Sequence, residues 1–311
     1  MILTKRPWRD GDYWQMRDLL RRALVANGRR QRSWHVARLD YWWWFINPDL
    51  EHLEPEQHLV VWEADGRLVA AVLPDGAGEA HVQVDPVHRT AELDAQMLDA
   101  AEASLAAERD GVRRLRVWAD AGDAAMGRLL TERGYERIDR PGAAEVQHRL
   151  DLREPLPPVP PTPGYDIRPM RDGLELLERC YASGLAFHDD DIAVARDNRD
   201  HPEWYHHIQT APLYRRDLDI VAVAADGSVG AFCTAWFDDA TRSAILEPVA
   251  TVPAHRRRGL ARAAILEALH RLGAMGCEIA FVGGYSEPAN ALYSSIFGPD
   301  EDRSQPWERA L

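Results

Sequence analysis

The chain has 311 residues, 46% hydrophobic and 28% charged, with a formal net charge of −13. That length exceeds one average domain and predicts two. The negative charge excludes nucleic acid and anionic membranes as main partners, and no apolar stretch reaches the ~20 residues that span a bilayer.

The first residues, Met1-Ile2-Leu3-Thr4-Lys5-Arg6-Pro7, lack the apolar core of a signal peptide. The three cysteines, Cys180, Cys233 and Cys277, are spaced for neither a disulfide framework nor a zinc site. The expected setting is reduced and cytoplasmic.

In chain order, the first half predicts a helix over 89–109 and a strand over 115–119. Before them, Tyr41-Trp42-Trp43-Trp44-Phe45, with Trp34 nearby, makes a dense aromatic patch. Core and interdomain packing is one reading; an aromatic wall for an apolar or cationic substrate is the other. Residues 154–164 read EPLPPVPPTPG and hold six prolines. Such a run fits neither a helix interior nor a central strand, and predicts a semi-rigid linker. The expected domains are therefore 1–153 and 165–311.

The second half predicts a strand at 165–169, a helix over 173–187 and a short helix over 202–209. Strands follow at 219–225, 229–237 and 243–252, with Asp226-Gly227 as the hairpin turn between the first two. A helix over 258–275 carries Ala261, Ile265, Ala268, Leu269 and Leu272 on one face. Then come a buried strand at 277–282, a helix over 287–296 and a closing segment at 307–311. This order predicts a mixed α/β (α+β) domain. The halves look alike: Arg6-Pro7 matches Arg168-Pro169, Ala64-Asp65-Gly66 matches Ala225-Asp226-Gly227, and Tyr135 matches Phe297, all in one order. A tandem duplication follows.

The strongest local feature is Pro253-Ala254-His255-Arg256-Arg257-Arg258-Gly259-Leu260-Ala261, between a strand and an amphipathic helix. A helix start presents unpaired N–H groups and the positive end of the helix dipole, which together bind anions. Cations are unfavourable there unless an anion arrives, so the arginines favour an anion site over a merely basic surface.

With Arg256, Gly259 and Ala261 in place, this stretch resembles the Arg/Gln-x-x-Gly-x-Gly/Ala signature of the GNAT superfamily of N-acetyltransferases. Residues 246–253 resemble that family's cofactor strand, and Asn290-Ala291-Leu292-Tyr293 its second cofactor motif. The resemblance implies two tandem GNAT-like domains, each a mixed, mostly antiparallel twisted sheet flanked by helices. It implies acetyl-CoA as co-substrate, held by Val249, Ala250, Thr251, Arg256, Arg257, Arg258, Gly259, Leu260, Ala261, Asn290 and Tyr293. It also gives Glu247 the role of general base toward an amine and Tyr293 that of donor to the leaving thiolate. Pro248 is compatible with a strand splay or a simple bulge. The order Ile296-Phe297-Gly298 departs from the family's Gly-Phe.

At the matching places in the first half, Arg89 stands for Arg256, Glu92 for Gly259, Asp94 for Ala261 and Ala80 for Glu247. Acids at a phosphate site predict a degenerate copy. His201, His206 and His207 match no zinc pattern, so no metal is expected, and Asp189-Asp190-Asp191 reads as a solvated turn. The resulting expectation is acetyl transfer from acetyl-CoA to a primary amine of a small molecule, by a monomer or homodimer. The alternative is a non-catalytic acyl-CoA-binding sensor.

Overall fold

The computed structural model describes residues 3–311; residues 1 and 2, the start of the N-terminal segment read above, lie outside them. The chain divides into two compact units. The first comprises residues 1–148, 284–291 and 299–311, and the second 149–283 and 292–298.

In the first unit the chain runs β1 (Thr4–Pro7), α1 (Asp12–Ala26), α2 (Val36–Tyr41), a π-helical stretch (Trp42–Glu51) and α3 (Pro55–His58). It continues through β2 (Val60–Ala64), β3 (Arg67–Leu73), β4 (Glu79–Val84), α4 (Ala91–Ser104), β5 (Ala107–Arg109), β6 (Val112–Asp120), α5 (Ala124–Glu132), β7 (Glu136–Arg137) and β8 (Glu145–Asp151). Neighbouring strands from β1 to β4 are antiparallel, whereas β4 and β6 are parallel. The helix predicted over 89–109 is shorter, because Leu105 ends it and residues 107–109 turn back as a strand along β6. Trp62, Met97, Leu98, Leu115, Val117 and Leu130 build the core between sheet and helices. Trp42 is fully buried, and Trp43 packs on Trp8 and Tyr13 at 5.4 and 5.2 Å between ring centres. The aromatic run therefore packs within this unit.

The second unit takes β9 (Tyr165–Pro169), α6 (Leu174–Phe187), α7 (Ile192–Asp200), α8 (Glu203–Thr210), β10 (Asp219–Ala224), β11 (Val229–Asp238) and β12 (Ser243–Thr251). Then follow α9 (Leu260–Ala274), β13 (Ile279–Gly284) and α10 (Glu287–Phe297), whose first turns belong to the first unit, as does the last strand, β14 (Glu301–Ala310). The strand order β13-β12-β11-β10-β9 is antiparallel except for the parallel β12–β13 pair. Helix α7 was not read from the sequence: it is mostly polar and starts because the Asp191 carboxylate accepts N–H bonds from Ala193 and Val194. Asp191 is thus a helix cap rather than only a solvated turn.

The duplication is visible in side-chain detail. Arg6 forms paired bonds to Asp12 in the first turn of α1, and Arg168 forms paired bonds to Glu175 in the first turn of α6. In each case the same carboxylate also accepts a backbone N–H, from Arg9 or Arg171.

The C-terminal strand departs from the expected order. β14 lies antiparallel to β6 from Ser304 to Ala310 and to β8 from Glu301 to Ser304, so it completes the first unit's sheet. Trp307 packs against the core below β6, and ion pairs Arg116–Glu308 and Arg309–Glu102, both at 3.2 Å, set its register.

Candidate active site

The site begins where β12 leaves β13. Their parallel ladder covers only Ser243–Ile245 against Ile279–Phe281. On its other side β12 stays with β11, but the register slips: Cys233 faces Val249 and Ala235 faces Leu246. Glu247 and Pro248 therefore oppose Thr234 alone, which makes a bulge. Pro248 has no N–H to give to a ladder, and its bond to Glu247 is cis. Buried Trp236 donates its indole N–H to the Glu247 carbonyl at 2.6 Å. The splay and the bulge, left as alternatives by the sequence, are both present. Beyond them Glu247, Val249, Ala250 and Thr251 are half-buried along the open edge of β12.

The arginine turn follows directly. Helix α9 starts at Leu260, with Gly259 as its N-cap and no side chain capping its first N–H groups. Arg257 and Gly259 both take the left-handed backbone conformation, at φ 64° and 77°. Left-handed residues of this kind in a turn are what can present successive N–H groups to an anion. A Cβ at Gly259 would meet nothing within 4 Å, so the approach to the helix start is open. Arg256, Arg257 and Arg258 are exposed, and among the described residues none forms an ion pair. Arg256 reaches the Thr251 carbonyl at 3.3 Å and Arg258 the Tyr165 hydroxyl at 3.2 Å, which leaves most of their donors available. Leu260 is buried and anchors the helix start on Ala222 and Ala231. Ala261 is half-buried beside it.

Tyr293 is buried on α10. Burial first, then the charges of Cys233 and Glu247, push its phenol well above the ordinary value. It is therefore a persistent proton donor, and it lies close enough to Glu247 to feel that charge. The Asn290 amide oxygen pairs with His148 Nε2 at 3.1 Å, and Asn290 belongs to the first unit. The helix places Asn290 and Tyr293 three residues apart.

The corresponding turn in the first unit is closed. It is two residues shorter, so the N-cap of α4 is Thr90, the counterpart of Gly259; the sequence comparison, which paired Gly259 with Glu92, is corrected by this length difference. The Thr90 hydroxyl accepts the Leu93 N–H at 3.1 Å. Arg89 holds Asp94 through two 3.0 Å bonds and Asp123 at 2.6 Å. At the strand, the parallel register sets His81 opposite Trp118 as it sets Ile245 opposite Phe281. Further along β4, the Gln83 side-chain oxygen is held by the Trp34 N–H at 2.8 Å.

A buried polar group in the second unit was missed. Asp219 accepts from Tyr205, Tyr214 and Thr234 at 2.6, 2.8 and 3.0 Å. Nearby, the Arg179 guanidinium lies 3.4 Å over the Phe232 ring, and its nitrogens have no hydrogen-bond partner among the described residues. The available signal was an arginine on the same helix face as Leu176, Cys180 and Ser183. His201, His206 and His207 are exposed on or beside α8. Among the described residues no group of three metal-ligating side chains is gathered.

Residues 176–298 match the Acetyltransferase (GNAT) family. No curated protein matches the chain. Two solved structures resemble it over nearly their full lengths. One is a GCN5-related N-acetyltransferase from Sphaerobacter thermophilus, 18% identical, covering 99% of this chain and 95% of its own, with a TM-score of 0.64. The other is a tandem GNAT protein from the clavulanic acid biosynthesis pathway, 18% identical, covering 99% and 98%, with a TM-score of 0.66. The family-matched stretch, residues 176–298, contains the open turn of the second unit, and the whole chain is similar in fold to a tandem GNAT protein.

Proposed function

We propose that this protein transfers an acetyl group from acetyl-CoA to a primary amine of a small molecule, using the second unit alone. The observation that carries this reading is an uncapped helix start with three unpaired arginines, adjoining a strand fork that holds Glu247 on a bulge. The fit to a pyrophosphate is chemical: a helix start with no side-chain cap, guanidinium donors and no Cβ at Gly259. The open edge of Val249, Ala250 and Thr251 offers backbone groups to an extended amide-bearing arm.

When bound, the thioester supplies an electrophilic carbonyl and a leaving thiolate. The chain's own groups do the rest. An ammonium has no lone pair, so the acceptor must shed a proton, and Glu247 is the carboxylate at the fork that receives it, directly or through water. Backbone N–H groups at residues 249–251 face the developing oxyanion. Tyr293, kept protonated by burial, supplies a proton or hydrogen bond to the thiolate. Among the described residues no helix is long and apolar enough to cross a membrane, and the three cysteines are buried and free, which supports a reducing, cytoplasmic setting.

Thiol release from acetyl-CoA across a panel of small amines tests the reading. Turnover with at least one amine, reduced in both Glu247→Gln and Tyr293→Phe, is expected. Tight acetyl-CoA binding without turnover on any amine favours a sensor instead.

A further inference from the structure

The first unit has a strand fork of its own, and it is lined quite differently. Its parallel ladder ends at His81 and Trp118, where the second unit has Ile245 and Phe281. The His81 and Trp118 rings stack at 5.9 Å with 7° between planes. From this pair a circuit of side chains closes on itself. Trp34 lies 5.2 Å from His81, and the Arg38 guanidinium sits 5.9 Å over Trp34. Arg38 bonds Asp75 at 2.5 Å, and Asp75 returns to His81 at 3.8 Å. On the other side Trp118 meets Tyr285 edge-on at 6.1 Å, and the Tyr285 hydroxyl donates toward Glu145, which also feels Arg38 and Asp75.

The circuit is recessed but not sealed. The side chains of Arg38, Asp75 and His81 keep 20%, 19% and 16% of their exposure, and Tyr285, at 49%, stands at the rim. Three carboxylates, Asp75, Glu145 and Glu51, gather on the Arg38 guanidinium, while Glu79, which accepts the Trp118 indole N–H at 2.8 Å, is paired with Arg116 at 2.7 Å. His81 adds no charge near neutral pH, since burial holds its pKa at about 4. Burial also raises the Glu145 and Glu51 carboxyls, as expected where carboxylates outnumber cations in a poorly solvated place. Beside Glu145, the Gln147 Nε2 donates to it at 3.2 Å, while the Gln147 Oε1 is buried with no partner among the described residues.

An aromatic frame attracts cations through its ring faces, and an under-neutralised carboxylate group does so through charge. The closed turn at Thr90 and the Arg89–Asp94 pair remove the anion site that an acyl-CoA would need. We propose that the first unit's fork is a binding site for a small organic cation, an ammonium or guanidinium on an apolar body, bound between Trp118, Tyr285 and Glu145. The degenerate copy is then a ligand-binding domain in its own right, independent of the acetyl transfer proposed for the second unit.

Calorimetric titration of the full chain with phenethylammonium, and with 2-phenylethanol as its neutral counterpart, tests this. Saturable uptake of the amine but not the alcohol is expected for the native chain and for Glu247→Gln. Glu145→Gln, an isosteric change, and Tyr285→Phe, at the exposed rim, are expected to retain the native melting transition. Glu145→Gln is expected to bind about tenfold more weakly or worse, because a charge-assisted bond is lost. Equal binding by Glu145→Gln, equal uptake of the alcohol, or no saturation of the native chain overturns the proposal. Loss of binding in Glu247→Gln overturns it as well, because it moves the amine to the second unit and leaves the transferase reading intact.

Discussion

The Trp236 indole N–H meets the Glu247 carbonyl at 2.6 Å, inside the bulge that carries the candidate base. The bond joins one strand's side chain to the next strand's backbone, so its expected role is to position the bulge. Trp236→Phe keeps the ring's bulk and leaves the carbonyl unpaired, at a cost of about 1–3 kcal/mol. We expect kcat to fall while KM for acetyl-CoA stays near native, because the arginine turn is untouched. A steady-state analysis beside a thermal melt checks this; a lowered Tm with unchanged kcat gives Trp236 a structural role only.

The arginine turn makes the opposite split. Arg256→Ala, Arg257→Ala and Arg258→Ala each remove an exposed, unpaired cation, so folding stability should change by no more than about 0.5 kcal/mol. KM for acetyl-CoA should rise, by about tenfold for an arginine whose charge-assisted bond to phosphate is lost. Kinetics at several ionic strengths are diagnostic, since the native enzyme should lose acetyl-CoA affinity with salt more steeply than the variants.

Thr90 supplies a control in the first unit. Its hydroxyl caps α4, and Thr90→Ala should cost about 1 kcal/mol of stability. Acetyl-CoA binding should not change, because that turn is already closed by Arg89 and Asp94. Thermal melts with and without acetyl-CoA separate the two effects.

On the proposed mechanism, Tyr293 governs the alkaline limb of the pH profile. Its phenol lies above the ordinary value because of burial, with Cys233 and Glu247 adding to the shift. The raised value favours the protonated form, so the donor survives to higher pH than a free tyrosine and is lost only as pH rises through that shifted value. A pH–kcat profile should show no decline assignable to a phenol at its usual position. Tyr293→Phe should lower kcat across the whole range, not at its alkaline end alone.

Much of the second unit was legible because its cues are local. Asp226-Gly227 marks a hairpin, and the apolar stripe from Ala261 to Leu272 marks α9. The Pro253–Ala261 stretch carries its own electrostatic logic. The exchange of β14 was not legible, since 307–311 reads equally well as an edge strand of either half. Its partner is chosen by distant groups, Trp307 on the core below β6 and Glu308 on Arg116. The partner of Asn290 was illegible for a related reason: its amide oxygen pairs with His148, far away in sequence. The first half's counterpart of Gly259 was shifted because the turn before α4 is two residues shorter, which only the helix caps reveal.

The central claim is that one unit alone holds acetyl-CoA. Calorimetric titration of the native chain and of Gly259→Asp measures this most directly. The substitution places a carboxylate at the uncapped start of α9, in open space and with some backbone strain from the positive φ. The account predicts one equivalent of acetyl-CoA per native chain, and its loss in a Gly259→Asp protein that still melts cooperatively. Two equivalents, or one equivalent that survives Gly259→Asp, contradicts it.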